Sequence, residues 1–106
     1  MALRICIGGA TGWTGSALVA GVLMADDLEL SGAVAPKSAG RDIGEVLGRA
    51  ALGVNVAASV ALALKAKPTD VYIDYTHPSA VKANVLTALD LGVPAIIGTS
   101  GLSADD

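Results

Sequence analysis

Three glycines recur at intervals of three residues near the start of the chain, in the stretch GGATGWTG. They are Gly9, Gly12 and Gly15, and they separate an apolar run from a helical pattern. A helix that begins in a turn without side chains presents bare backbone N–H groups, which together with the helix dipole favour an anion. Directly after a strand, this spacing is typical of a turn that holds a dinucleotide pyrophosphate. A glycine-rich turn without a ligand remains the alternative.

Each glycine has a separate expected role. Gly9 makes the tight turn, Gly12 lets a phosphate approach the backbone, and Gly15 lets the helix pack closely on the strand.

Two further segments are expected at the same edge of the sheet as the glycine turn, because parallel strands end together and ligands bind beyond their carboxyl ends. The first, DYTHPSA, offers the hydroxyl of Thr76, and the second, GTSG, offers the hydroxyl of Ser100 and the bare backbone of Gly98 beside a nicotinamide ring.

The end of the second predicted strand bears on the choice of nucleotide. Sites for NAD usually place an Asp or Glu there to bind the ribose hydroxyls. This chain has AVAPKSAGR instead, with Lys37 and Arg41 and no acid. A basic loop suits a 2′-phosphate, so the sequence favours NADPH over NADH. The alternative is that both cations only solvate a loop.

The remaining reactive side chains give no catalytic or metal site. His77, before a proline at a helix entry, is interpreted as structural, and Asp74 as a turn or cap carboxylate. Cys6 lies inside the first strand pattern, and we expect a buried, inert thiol. The sequence therefore predicts no catalytic residue and no metal ligands in this chain.

Strand and helix patterns alternate along the chain. Strands are predicted at 3–8, 27–34, 52–57 and 70–75, and the stretch 94–101 gives the last strand and a polar, glycine-rich end. Helices are predicted at 14–25, 42–47, 59–65 and 78–91. Such alternation implies parallel strands joined by right-handed crossovers. We predict a single α/β domain over 1–106, a Rossmann-type open and mostly parallel sheet with helices on both faces.

Composition excludes several classes of function. Hydrophobic residues make up 53% of the chain and Phe is absent, so the core must be built from Ala, Val, Leu and Ile. The net charge is −3 and no run of Lys or Arg occurs, which argues against binding nucleic acid. No apolar stretch reaches the roughly 18 residues of a membrane span, and no signal peptide is evident. The expected location is the cytoplasm.

Three segments together resemble one family. GATGWTG, DLELSGAV and VYIDYTHPSAVKANVLTALDLGVPAIIGTSGLS are similar to the N-terminal cofactor domain of bacterial dihydrodipicolinate reductase (4-hydroxy-tetrahydrodipicolinate reductase), an oxidoreductase of diaminopimelate and lysine biosynthesis. The most specific part is the strand followed by D-Y-T-x-P and, one helix later, by GTSGL. The resemblance implies nucleotide-binding roles for residues of three segments: Gly9, Ala10, Thr11, Gly12, Trp13 and Thr14; Tyr75 and Thr76; and Gly98, Thr99 and Ser100.

The chain departs from the family pattern in three respects. Trp13 replaces an arginine that would face phosphate, so its indole is expected either to cover the ribose or adenine or to be a partly exposed packing residue. Ala35 stands where an acid is usual. The family's catalytic histidine and lysine lie in a C-terminal domain whose motif is not found here. The resemblance therefore implies a chain that binds nicotinamide dinucleotide without turnover, with a missing substrate domain or a full-length subunit as partner.

Other families share the glycine turn. Short-chain dehydrogenases need a Tyr-x-x-x-Lys pair, but Tyr72 and Tyr75 are followed four residues later by Thr76 and Ser79. A truncated semialdehyde dehydrogenase, which reduces an acyl phosphate, would need a nucleophilic cysteine beyond this domain. A non-catalytic module that senses nucleotide or regulates a subunit remains the third alternative.

Overall fold

The alternation of strands and helices predicted from the sequence is confirmed by the structure. A computed structural model describes residues 2–98. The strands are β1 (Leu3–Gly8), β2 (Leu28–Val34), β3 (Val56–Ala57), β4 (Val71–Asp74) and β5 (Ala95–Ile97). The helices are α1 (Trp13–Met24), α2 (Ile43–Val46), α3 (Val60–Ala66) and α4 (Pro78–Asp90), and a single 3-10 turn covers Pro36–Ser38. The site predictions at Thr99 and Ser100 lie outside the described residues.

The five strands form one parallel sheet in the order β3-β2-β1-β4-β5. The chain runs outward from β1 through β2 to β3, then returns to the other side of β1 for β4 and β5. This is the Rossmann-type sheet that the sequence predicts. The reversal of direction opens a crevice beyond the carboxyl ends of β1 and β4, where sheets of this kind bind ligands.

The alternation of side chains along β1 divides the core into two layers. Ile5 and Ile7 face one side and Cys6 faces the other, as the two-residue period of a strand requires. The first layer also contains Val19 and Val22 of α1, Leu30 and Ala33 of β2, and Ile43 of α2. The second contains Val34, Val60, Ala63, Tyr72 and Ala88. Helices therefore cover both faces of the sheet.

The strand predicted at 52–57 is shorter in the structure, because a side chain already binds its first residues. The carboxylate of Asp42 accepts hydrogen bonds from the backbone N–H groups of Leu52 at 3.0 Å, Gly53 at 2.8 Å and Gly44 at 2.8 Å. These hydrogen bonds, that of Leu52 first, lower the pKa of Asp42. Val54 and Asn55 pair with the backbone of Ile43 and Asp42, so only Val56–Ala57 pairs with β2.

The helices end where the sequence places their caps. Ser59 caps α3 through a hydrogen bond from the N–H of Leu62, and Gly92 follows α4 with a φ of 78°. Nδ1 of His77 accepts the N–H of Ser79 at 3.2 Å, so this ring caps α4. In the part of the chain that the structure describes, no helix is both long and apolar enough to cross a membrane.

Candidate nucleotide-binding site

Gly9 joins β1 to the turn before α1, and its position excludes any side chain. Its φ is +74°, a conformation that residues with a Cβ rarely adopt. A Cβ at Gly9 would also lie 2.5 Å from the carbonyl oxygen of Tyr75. The loop after β4 therefore packs directly on the backbone of the glycine turn.

Gly15 and Gly12 are glycines for different physical reasons. A Cβ on Gly15 would overlap the carbonyl oxygen of Gly9, so the packing of α1 on the turn requires glycine there. A Cβ on Gly12 would meet that oxygen at 3.4 Å, and no second neighbour lies within 4 Å among the described residues. The fold therefore leaves room at Gly12, the N-cap of α1. No side chain caps this helix, so the N–H groups of its first turn have no side-chain acceptor at the N-cap, an arrangement that suits an anion.

A cleft of about 320 Å³ lies beyond the carboxyl ends of β1, β2 and β4. It brings together six of the residues that the sequence predicts as binding residues: Gly9, Thr11, Gly12, Lys37, Tyr75 and Thr76. Val34, Ala35, Pro36 and His77 complete its wall. Two of the three segments predicted to share this edge of the sheet, the glycine turn and DYTHPSA, therefore meet here, together with the loop after β2. Of the third segment, GTSG, only Gly98 belongs to the described residues, and it does not line the cleft.

The other predicted binding residues lie outside this wall. Ala10 is fully buried in the first core layer, and its N–H donates to the carbonyl of Val34 at 3.3 Å. Thr14 is exposed in the first turn of α1. Gly98 does not line the cleft, but it packs on a residue that does, because a Cβ at Gly98 would overlap the ring of Tyr75.

Trp13 extends into solvent at the first position of α1. Its side chain is 97% exposed, so it is not the partly packed residue offered as one alternative, and it does not line the cleft. A residue in this position points away from the sheet because the opposite side of α1 is packed on β1 and β2.

The charge in the cleft wall comes from the loop after β2. Lys37 lines the cleft, and within residues 2–98 no carboxylate does. Arg41 is exposed elsewhere, and its carbonyl accepts the N–H of Val56 at 2.7 Å. No group of three or more His, Cys, Asp or Glu residues is placed to hold a metal ion in the described part of the chain.

Sequence reasoning missed a buried polar network behind the cleft. Asp74 is fully buried and accepts a hydrogen bond from the hydroxyl of Tyr72 at 2.6 Å. Burial first, and then this hydrogen bond, raise the pKa of Tyr72. The hydroxyl of Thr76, expected to serve a ligand, donates to Asp74 at 2.5 Å. The Y-x-D spacing in a strand was the available signal, because residues two apart share one face.

Comparisons with known proteins show to which family the chain belongs. A family model described as "Dihydrodipicolinate reductase, N-terminus" matches residues 3–106. The chain belongs to this family. A 4-hydroxy-tetrahydrodipicolinate reductase of Desulfitobacterium hafniense is 37% identical over 98% of this chain, and one of Synechocystis sp. is 43% identical over 95%. The solved structure titled "Dipicolinate bound Dihydrodipicolinate reductase from Paenisporosarcina sp. TG-14" superposes with a TM-score of 0.77 at 27% identity, over 99% of this chain.

Family membership decides between the dehydrogenase families that share the glycine turn. The chain corresponds to the N-terminal part of dihydrodipicolinate reductases, a family that uses a nicotinamide nucleotide as cofactor. It spans 39% of the length of both curated relatives and 40% of the solved chain.

Proposed function

We propose that this chain holds NADPH in the cleft between the glycine turn and the loops after β2 and β4. In the complete protein, the bound nucleotide would serve the reduction of 4-hydroxy-tetrahydrodipicolinate in diaminopimelate and lysine biosynthesis. The observation that carries this proposal is the meeting of Gly12, Lys37 and Thr76 in one wall. A cytoplasmic location stays a prediction of the sequence.

The residues present fit a dinucleotide. Gly12 leaves an open cradle at the start of α1, and the uncapped N–H groups there suit the pyrophosphate. Tyr75 and Thr76 form the wall on the β4 side, which leads toward Gly98 at the end of β5. Gly98, Thr99 and Ser100 are proposed to contact the nicotinamide end, and Ala10, Trp13 and Thr14 to contribute through the backbone of the turn.

The preference for NADPH rests on the charge at the end of β2. A carboxylate at this edge of the sheet would bind the ribose 2′-hydroxyl and repel a 2′-phosphate. Here Ala35 is buried and Lys37 lines the cleft. An ammonium group next to the 2′-position stabilises the phosphate and has little effect on a hydroxyl.

The contribution of this chain to the reaction is binding and orientation. The nicotinamide ring supplies a hydride when the nucleotide is bound. Tyr75 and Gly98 pack against each other at the end of the cleft that leads to β5, so they are placed to set the direction of the ring. Proton transfer and substrate binding are proposed for the remainder of the complete protein, or for a subunit that supplies it.

Titration with NADPH and NADH tests the proposal. Trp13 is the sole tryptophan and lies at the start of α1, so its fluorescence is followed during the titration, and calorimetry provides an independent measurement. We expect saturable binding, tighter for NADPH. Lys37→Gln should weaken NADPH about ten-fold, or about 1.4 kcal/mol, and leave NADH unchanged. Lys65→Gln, an exposed lysine in the last turn of α3, is the matched control.

Two results would contradict the proposal. Absence of saturable binding of either nucleotide by both methods would overturn nucleotide binding by this chain. Equal losses for NADPH and NADH in Lys37→Gln would overturn the role of Lys37 at the 2′-phosphate while leaving the cleft as the site.

A further inference from the structure

A buried carboxylate lies directly behind the wall of the cleft. Asp74, the last residue of β4, has no exposed surface. One of its oxygens accepts the hydroxyl of Tyr72 at 2.6 Å, and the other accepts both the N–H of Thr76 at 2.8 Å and its hydroxyl at 2.5 Å. Thr76 is therefore bound twice by the same oxygen atom.

The hydrogen bonds continue on both sides of this carboxylate. The amide of Asn84 in α4 donates to the hydroxyl of Thr76 at 3.2 Å. On the other side, the hydroxyl of Tyr72 packs against Gly8, where any Cβ would overlap it. The network thus runs from α4 through Thr76 and Asp74 to the end of β1.

The same network lies next to the contact between the loop after β4 and the glycine turn. Tyr75 lies between Asp74 and Thr76, and its N–H donates to the carbonyl of Gly8 at 2.9 Å. Its own carbonyl packs on Gly9, as described above. A displacement of Thr76 would therefore move the backbone on which the glycine turn rests.

The hydroxyl of Thr76 has little capacity left for a ligand. Its proton goes to Asp74, and one of its lone pairs receives the amide of Asn84. Thr76 nevertheless lines the cleft. Its contribution to a bound nucleotide must then come from its position and shape and not from donating a hydrogen bond.

We propose that Asp74 is a positioning residue for nucleotide binding: through Thr76, its carboxylate sets the spacing between the β4 loop and the glycine turn. Tyr72 fixes the carboxylate and Asn84 fixes the threonine hydroxyl. This inference rests on the proposed function, because the spacing matters only to a ligand in the cleft.

The test compares variants of Thr76 in the full chain by NADPH calorimetry and by urea unfolding. Thr76→Val keeps the shape of the side chain and removes the hydroxyl, and we expect the Kd for NADPH to rise about ten-fold. Thr76→Ser keeps the hydroxyl and should stay within about two-fold of wild type. Thr69→Val is the matched control, because the hydroxyl of Thr69 pairs with Ser31 and lines no part of the cleft. Thr69→Val should lose about as much stability as Thr76→Val, but no affinity for NADPH.

A double-mutant cycle tests whether Asp74 acts through Thr76. Asp74→Asn alone should weaken NADPH by a factor similar to that of Thr76→Val, and the double variant should bind no more weakly than either single variant. Losses that multiply would show independent roles and overturn the inference. If Asp74→Asn does not fold, Tyr72→Phe takes its place in the cycle.

Amide hydrogen exchange without any nucleotide provides a separate measurement. Thr76→Val should speed exchange at the N–H groups of Tyr75 and Thr76 about ten-fold, with no change in α1 beyond its first turn. Unchanged exchange in Thr76→Val, or NADPH binding as tight as in wild type, would overturn this inference. The proposed function would still stand in that case, provided that the wild-type chain binds NADPH. Failure of the wild-type chain to bind NADPH or NADH would overturn both.

Discussion

Gly15 lies so close to Gly9 that a Cβ atom on Gly15 would overlap the carbonyl oxygen of Gly9. That oxygen also accepts the N–H of Gly12 at 3.0 Å, so its position is fixed. A backbone atom held in this way cannot move aside as the end of a flexible side chain can. The first turn of α1 therefore depends on a glycine at 15 for packing, independently of any ligand.

Gly15→Ala should lower the free energy of unfolding by about 2 kcal/mol, because the added methyl group meets backbone in a close-packed turn. Urea unfolding followed by circular dichroism measures the change. Gly21→Ala is the control in the same helix, where a Cβ meets nothing within 4 Å. It should raise stability by about 0.5–1 kcal/mol through helix propensity. A gain in stability for both variants would contradict the packing argument.

Gly12→Ala should separate ligand binding from folding. Because a Cβ at Gly12 has room in the unliganded protein, we expect a loss of stability below about 1 kcal/mol, from the poorer N-cap. The methyl group would occupy the approach of the pyrophosphate, so the Kd for NADPH should rise at least about ten-fold. Calorimetry of Gly12→Ala beside Gly21→Ala measures this effect, and equal affinities in the two variants would contradict it.

The fold could be predicted from local signals that the structure then confirms. Gly9 and Gly92 mark turns, Ser59 marks a helix start, and the apolar runs between them have the length of strands. The shortened β3 could not be predicted, because the carboxylate of Asp42 binds backbone N–H groups ten and eleven residues further along the chain. No local pattern around Leu52 reveals that competing partner.

The candidate site was predictable in its backbone and less so in its side chains. The meeting of the turn at Gly9 with the loop at Tyr75 follows from the common edge of parallel strands. The hydrogen bond from the Thr76 hydroxyl to Asp74 could not be predicted in this way, because it depends on the burial of Asp74 beneath the loop. The outward orientation of Trp13 could not be predicted either, because it depends on which side of α1 packs on the sheet.

Cys6 should be unreactive until the protein unfolds. It is fully buried, and burial raises the pKa of its thiol to about 12, so almost no thiolate forms at pH 8. Ellman's reagent should therefore label the native chain at least about 10³-fold more slowly than the chain in urea. Ala58→Cys in a Cys6→Ala background places the only thiol at an exposed position and should react at once. Rapid labelling of native wild-type protein would contradict the burial of Cys6.

The ion pair between Arg4 and Asp70 should contribute to acid unfolding. The side chain of Arg4 donates to Asp70 at 3.0 and 3.1 Å, and these bonds, with that of its backbone N–H, lower the pKa of Asp70 to about 2. Because the folded pKa is below the unfolded value of about 3.9, the stabilisation is complete above about pH 5 and is lost as the pH falls toward 2. Urea midpoints of Asp70→Asn should therefore fall less between pH 5 and pH 2 than those of wild type. Asp90→Asn, the same charge change at an exposed position, should keep the wild-type slope, and a common slope for all three proteins would contradict the prediction.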